Sequence, residues 1–469
     1  MSIFSQLLQE HFQEKKVKIY QIAQLSNIER TLLQKILTGS RKPSSEEQVT
    51  RLAQALMLTA SETKDLKNAY QILHMGEENW SRRSAVWKLI QSFHVNDSPF
   101  DMGFSPDVSY SFQTNTNVIY GSINVKRALY SILLQESCNP QGEISIIAQP
   151  DFSFLINSLN IINFTNVPIT HFISFGSRSE DSTSNLNLLE RIIPTLLTCK
   201  GYTPVGYYEN TSSLFGPNAF LPNIILTSHH SIQISSDYDC AVISSHPEIL
   251  KLLSNFIKQR LASAFSIFEK QTSFQAYLDS LFSQPPHEQR YLMMDKPYLL
   301  PFLTPQMCER YLHADEFGPE RLEALQKHIL QLQQAESIHS IFSSDGLQQF
   351  YSTGRFTEMP KLYYSTLHPQ DAHFLLSEAL TMQEQGRYKM HITKPQHLLF
   401  PSNLTIRAFS SLQVSFVINH PKVGFLALNL QDPSFSFAIF DFMQYMMEEN
   451  LSYSSEESAL MVRSFLNRQ

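Results

Sequence analysis

The chain has 469 residues, a formal net charge of −7, and 42% hydrophobic with 12% aromatic residues. This length and apolar content exclude a disordered chain and a lone small domain, and they require two or three cores beyond the first. No apolar run reaches 18 residues and the N-terminus carries no basic-then-apolar leader pattern, so a cytoplasmic protein without a membrane partner is expected.

The first elements are helical. Phe4, Leu7, Leu8 and Phe12 recur at three- and four-residue spacing, an amphipathic helix. In the segment Ile19 to Pro43, apolar positions fall at Ile22, Ala23, Ile28, Leu33 and Ile36, with a polar break at Ser26-Asn27. The spacing predicts a helix closing at about Leu25, a turn of a few residues, and a second helix from about Glu29 to Leu37. Two short helices crossing steeply need a small residue where they touch, and Ala23 sits there. Ile28 plugs the wedge between them. Gly39 supplies the left-handed residue that ends the second helix. Ser44 with Glu47 reads as a capping box opening a helix through Val49, Leu52, Ala53 and Leu56. Thr59 with Glu62 opens another through Leu66, Ala69, Tyr70 and Leu73.

Five short helices with this turn between the second and third resemble the phage-repressor (Cro/cI, or XRE) family of helix-turn-helix DNA-binding domains, over residues 1–73. The resemblance implies that the start of the second motif helix and the turn after it face the major groove of double-stranded DNA. Those positions are Glu29, Arg30, Thr31, Gln34 and Lys35. Arg suits a guanine edge, Gln an adenine edge, Thr the thymine methyl group, and Glu can accept from cytosine. Ser40, Arg41 and Lys42 are then expected on phosphates. The family often has Gln at the start of the first motif helix, and Ile19 stands there in this chain.

Charge agrees with that reading. From Lys15 to Arg51 there are eight basic residues and three acidic ones, a local excess of five on a chain that is −7 overall. The opposing reading is a solvated helix face on an antitoxin-like protein-binding module, and the local excess weighs against it.

Glu77 to Phe93 reads as a further helix, and Asn96 to Ser111, with Pro99, Gly103 and Pro106, as a boundary; together residues 74–110 form the expected connector and linker. Beyond it the period changes to an α/β alternation. Helices are expected at Ile123–Leu134, Phe152–Ile161, Leu186–Leu197 and from Pro247 to about Phe268. Strands are expected at EISIIAQP, Ile169–Phe175, Thr203–Tyr208, Ile224–Thr227, Ser231–Ser235 and Ala241–Ser244. After Pro285-Pro286, helices at Pro319–Ala335 and Pro369–Gln385 precede strands at Tyr388–Ile392, Leu404–Arg407, Leu412–Ile418 and Gly424–Leu430. A helix from Pro433 to about Met447 follows, with an exposed helical tail from Glu448. The fold class is therefore multidomain: an all-α five-helix head followed by a large mixed α/β body, with α/β domains at 111–275 and 276–469.

The stretch from Ser231 and the stretch from Ser411 share one order: strand, turn, strand, a short Pro-containing break, helix. His246-Pro247 aligns with Asp432-Pro433. Two similar halves closing in this way resemble the phospholipase-D-type scaffold in order of elements. That chemistry requires a His with a Lys two residues on; His229 and His230 lack one, and His391 has Lys394 at the wrong spacing, so no catalytic residues are expected. There is no phosphate loop, HExxH or GxSxG. Adjacent His229 and His230 on a strand would point to opposite faces, against a metal pair. The Phe-rich FSFAIFDFMQYMM segment reads as core rather than as a ligand cavity. The four cysteines, Cys138, Cys199, Cys240 and Cys308, lack a CxxC pair and read as buried thiols of a reducing compartment.

These features fit a DNA-binding transcription regulator, without metal or cofactor, acting as a homodimer because one head covers half an operator. Its body would sense a small-molecule or peptide effector or assemble the oligomer. The alternatives are an enzyme of unknown reaction in the body with a targeting head, and an antitoxin-like protein-binding module.

Overall fold

The computed structural model describes residues 2–94, 116–164, 167–177, 182–209, 215, 219–282, 289–334, 337–394, 400–410, 412–448 and 451–468. The expected boundary around Asn96–Ser111 lies outside them. The chain divides into two compact units, residues 1–84 and 85–469.

The first unit is helical: α1 (Ile3–Glu14), α2 (Ile19–Ser26), α3 (Arg30–Leu37), α4 (Glu46–Ala55) and α5 (Ala60–Met75), then the start of α6 (Glu77–Gln91). Its core gathers one stripe from each of α1 to α5, including Phe4, Leu8, Ile22, Leu33, Ile36, Val49, Leu52 and Leu66. The Thr59–Glu62 capping box forms as its spacing requires. The cap of α4 is shifted by one residue from the expected Ser44: Ser45 Oγ accepts from the Gln48 amide, and Gln48 Oε1 accepts from the Ser44 amide. Gln48 thus occupies the role assigned to Glu47, because its side chain turns inward and is buried.

In the second unit the strands are β1 (Thr116–Tyr120), β2 (Ile144–Ile147), β3 (Ile169–Phe175), β4 (Tyr202–Tyr208), β5 (Asn223–Leu226), β6 (Ser231–Ile234), β7 (Cys240–Ser244) and β8 (Phe265–Ser266). They form one eight-stranded sheet in the order β1-β7-β6-β5-β2-β3-β4-β8. The strands β9 (Phe268–Gln271), β10 (Arg290–Met294), β11 (Ile338–Ser343), β12 (Tyr388–Thr393), β13 (Leu404–Phe409), β14 (Val414–His420) and β15 (Gly424–Leu430) form a seven-stranded sheet. Read from β9, its order is β9-β15-β14-β13-β10-β11-β12. The two sheets share one topology. In each, three adjacent strands are parallel (β2, β3, β4 and β10, β11, β12) and the others are antiparallel. Among the described strands only the short β8 lacks a counterpart.

Helices fill the crossovers. The first half has α7 (Ser122–Ser137), α8 (Ser153–Ile161), α9 (Ser182–Thr198) and α10 (Pro247–Ser263). The second has α11 (Phe274–Phe282), α12 (Pro305–Tyr311), α13 (Ala314–Phe317), α14 (Pro319–Gln333), α15 (Ser344–Thr353), α16 (Pro369–Glu384), α17 (Pro433–Met446) and α18 (Ser455–Leu466). The repeated ends α10 and α17 both open on Pro at the first turn. His246 Nδ1 caps one and the Asp432 carboxylate the other.

Two expectations are corrected. The halves are not separate domains at 111–275 and 276–469, since a single apolar cluster runs through both, from Ile144 and Ile173 to Met293, Ile406 and Phe416. The second sheet is apolar on both faces: Tyr291 and Met293 of β10 face the shared core, while Leu292 and Met294 face a second core under α11, α14 and α16. The chain passes from one sheet to the other at Ile267, between β8 and β9. The tail is not an exposed helix either. The Tyr453 amide donates to the Ile392 carbonyl, and α18 buries Ser458, Val462 and Leu466. Among the described residues no helix is long and apolar enough to cross a membrane.

Candidate nucleic-acid interface

The α2–turn–α3 unit is set by local chemistry. Asn27 closes α2 in the left-handed region, at φ 53° and ψ 44°. This lets the Ile28 amide reach back to the Ala23 carbonyl at 3.0 Å and drives the Ile28 side chain into the core. Glu29 is the N-cap of α3 and its carbonyl accepts from the Leu33 amide at 2.9 Å. Leu33, Ile36 and Leu37 pin one side of α3. Thr38 ends it, and Gly39 follows at φ +75°, where a Cβ would come within 3.0 Å of Ser5 Oγ.

All eight side chains singled out in the sequence, Glu29, Arg30, Thr31, Gln34, Lys35, Ser40, Arg41 and Lys42, are exposed. Their contacts divide them. The Thr31 hydroxyl donates to the Glu29 carboxylate. Ser40 Oγ donates to the Lys35 carbonyl at 3.1 Å and meets Thr38 Oγ1 at 3.0 Å, so it shapes the loop after α3. Arg30, Lys35 and Arg41 make no side-chain hydrogen bond or ion pair with another described residue. Lys42 is different: its ammonium donates to the Leu73 carbonyl at 2.8 Å. The local basic excess is also partly internal, since Lys15 lies 3.6 Å from Glu62.

Two contributors to this face escaped the sequence reading. Gln9 Nε2 donates to the Leu37 carbonyl at 2.7 Å and tethers the end of α3 to α1. Gln21 Oε1 accepts from the Lys18 amide at 3.3 Å, so the start of α2 has its bracing Gln two residues after Ile19. A Gln three residues into a helix is the only signal for the second; nothing local points to the first.

The body residues weighed for chemistry are spread out. His229 and His230 lie in the turn between β5 and β6, not on a strand, and the His230 amide donates to Thr227 Oγ1. Desolvation, then the neighbouring His229, hold His230 below the usual imidazole range. His391 is buried on β12, where desolvation holds its pKa at about 4. The Phe-rich segment is α17, with Phe435, Ile439, Phe442 and Met443 in the shared core. Cys199 and Cys308 are buried as expected, but Cys240 is only half-buried and Cys138, at the C-terminal cap of α7, is exposed. Among the described residues one His/acid group stands close enough to hold a metal ion, His11 with Glu14 and Glu62, whose atoms lie within 4.8 Å. Glu62 there already accepts from the Thr59 amide and pairs with Lys15.

No family model matches the chain, and no curated protein does. Solved structures that are similar in part include two of differing function. An archaeal chromatin protein, TrmBL2, whose structure is described as showing a novel mode of DNA binding, matches 44% of this chain and 71% of its own at 11% identity and a TM-score of 0.23. Phosphatidylserine synthase of Haemophilus influenzae Rd KW20 matches 83% of this chain and 97% of its own at 11% identity and a TM-score of 0.25.

Proposed function

We propose that the chain is a sequence-specific DNA-binding regulator whose first unit is a helix-turn-helix head of the phage-repressor type. One observation carries this reading: α3 is buried along Leu33, Ile36 and Leu37 while Arg30, Gln34 and Lys35 stand exposed, the two cations without partners, and Arg41 extends the same charge into the next loop. A helix anchored on one side and offering Arg and Gln one turn apart on the other matches the donor and acceptor pattern of base edges.

The body is read as a non-catalytic phospholipase-D-type scaffold that binds an effector and pairs two copies of the chain. Its duplicated strand order supports the scaffold. The non-catalytic part rests on the first half, which has no His with a Lys two residues on. The second half has one pair at that spacing, His420 and Lys422, at the turn from β14 to β15. Such a regulator would work in the cytoplasm, as a homodimer on two half-sites. The test is genome-wide binding-site sequencing with the purified protein. A recovered palindrome with half-sites about one helical turn apart supports both head and dimer; fragments recovered without any shared sequence sink the proposal.

A further inference from the structure

The second half of the body contains a cavity of about 510 Å³ between α11 and the edge of its sheet, lined among others by Tyr277, Arg407, Ser415, Asn429 and Glu269. Four of these residues form a single row across neighbouring strands: Arg407 of β13 pairs with Ser415 of β14, Ser415 with Asn429 of β15, and Asn429 with Glu269 of β9. A polar row of this kind, on a face otherwise built from Leu292, Val417 and Ala427, has no packing purpose.

Two of the lining residues, both nearly buried, have side-chain polar groups without a hydrogen-bond partner. The Tyr277 hydroxyl makes no hydrogen bond, in a residue 5% exposed. Arg407 is also 5% exposed, and its guanidinium makes no hydrogen bond or ion pair with another described residue; it lies 5.7 Å from the centre of the Tyr277 ring. A buried guanidinium without an acceptor is unfavourable unless something else supplies one. The buried Glu358 does not. It lies outside ion-pair distance of Arg407, and burial pushes its carboxyl up to about 7, short of full charge at neutral pH. Ser415 Oγ donates to the Asn429 amide oxygen at 2.8 Å, which leaves the Asn429 amide nitrogen to donate elsewhere.

We propose that this cavity binds a small ligand with one oxyanion head, a carboxylate or phosphate group, held by the Arg407 guanidinium and the Tyr277 hydroxyl. Arg offers the paired donors that suit either oxyanion, and the volume is that of a small-molecule site. The exposed Glu269 at the far end of the row repels a second negative charge, so the tail is uncharged or cationic. As an effector site the cavity rests on the regulator reading above; as a binding site it does not, and its test uses no DNA.

The test is calorimetric titration of the full chain with inorganic phosphate, acetate and citrate, at constant ionic strength set with chloride. Saturable binding of phosphate or acetate is expected, with citrate no tighter than acetate. Arg407→Gln should weaken binding by roughly tenfold or more, and Tyr277→Phe by a few-fold. Tyr277→Phe decides alone if Arg407→Gln does not fold, because the removed hydroxyl supports nothing in the unliganded protein. Phosphate arising from a nucleotide and acetate arising from an organic acid are told apart by repeating the titration with a ribose phosphate and with lactate. Absence of saturable binding by every anion, or equal binding in both variants and the parent, overturns the proposal.

Discussion

The Lys42 ammonium donates to the Leu73 carbonyl oxygen at 2.8 Å, in the last turn of α5. A cation at a helix C-terminus satisfies a carbonyl that has no partner within the helix and lies at the negative end of its dipole. Lys42 therefore ties the loop after α3 to α5, whereas its neighbour Arg41 is unengaged. The two were equivalent phosphate contacts from sequence alone, and they now separate. Arg41→Ala is expected to weaken cognate and scrambled duplexes about equally and to lower the salt slope by about one. Lys42→Ala is expected to lower head stability by about 0.5 kcal/mol and to affect DNA chiefly through the loop. Melting curves and binding at two salt concentrations give both answers; an unchanged salt slope in Arg41→Ala would remove it from the interface.

Arg30 and Gln34 lie one turn apart on the exposed side of α3. Replacing either with Ala should cost about 1–3 kcal/mol on the cognate site and relax preference at one base pair, with less effect on random DNA. Selection from randomised duplexes measures this directly. Should both variants recover the parent's site unaltered, α3 is not the reading helix.

The core of the first unit is complete within α1 to α5, from Phe4 to Tyr70 with Leu73 packed against it. A fragment ending at Gly76 is therefore expected to fold alone and melt cooperatively by circular dichroism. By contrast, Ala85, Val86, Leu89 and Ile90 belong to the core of the second unit. Limited proteolysis that yields no protected fragment ending between residues 75 and 105 would contradict this division.

Glu358 sets a pH-dependent term. Burial raises its folded pKa to about 7 from an ordinary 4.5, against the lowering effect of Arg407 and Lys296. Between those values the folded state holds the extra proton, so this group's contribution falls as pH rises, by up to roughly 3 kcal/mol. His171, His328, His339 and His391 oppose it. Desolvation lowers their folded values to about 4, 3, 3 and 4, so their contribution is present above about 6.5 and is lost as pH falls. The Glu358 term is thus seen only as a difference: Glu358→Gln should gain stability over the parent as pH goes from 5 to 8. A stability gap that stays constant over this range would mean that Glu358 is not buried as an acid.

Much of the order of elements was legible because helices and strands announce themselves locally. Three- and four-residue periodicity placed α1 to α5, the Thr59–Glu62 box marked α5, and Pro433 after Asp432 placed α17 within a residue. The candidate face on α3 was legible for the same reason: residues on one helix face follow from spacing alone. Strands with a mixed composition were missed. β9 reads Phe-Glu-Lys-Gln and β10 opens on Arg290, and neither alternates apolar with polar, because what each residue faces is decided by distant partners.

By itself, then, the sequence determined the helical head, the α/β alternation of the body and the exposed character of Arg30, Gln34 and Arg41, since these depend on contacts within a few residues. Tertiary structure alone decided that the two halves share one core, that Lys42 is held by Leu73 while Arg41 is not, and that Arg407 lies buried in a row with Ser415, Asn429 and Glu269. Each of those facts joins residues that are remote in the chain or set on different strands. Their encounter is fixed by strand register and packing, and no local pattern encodes it.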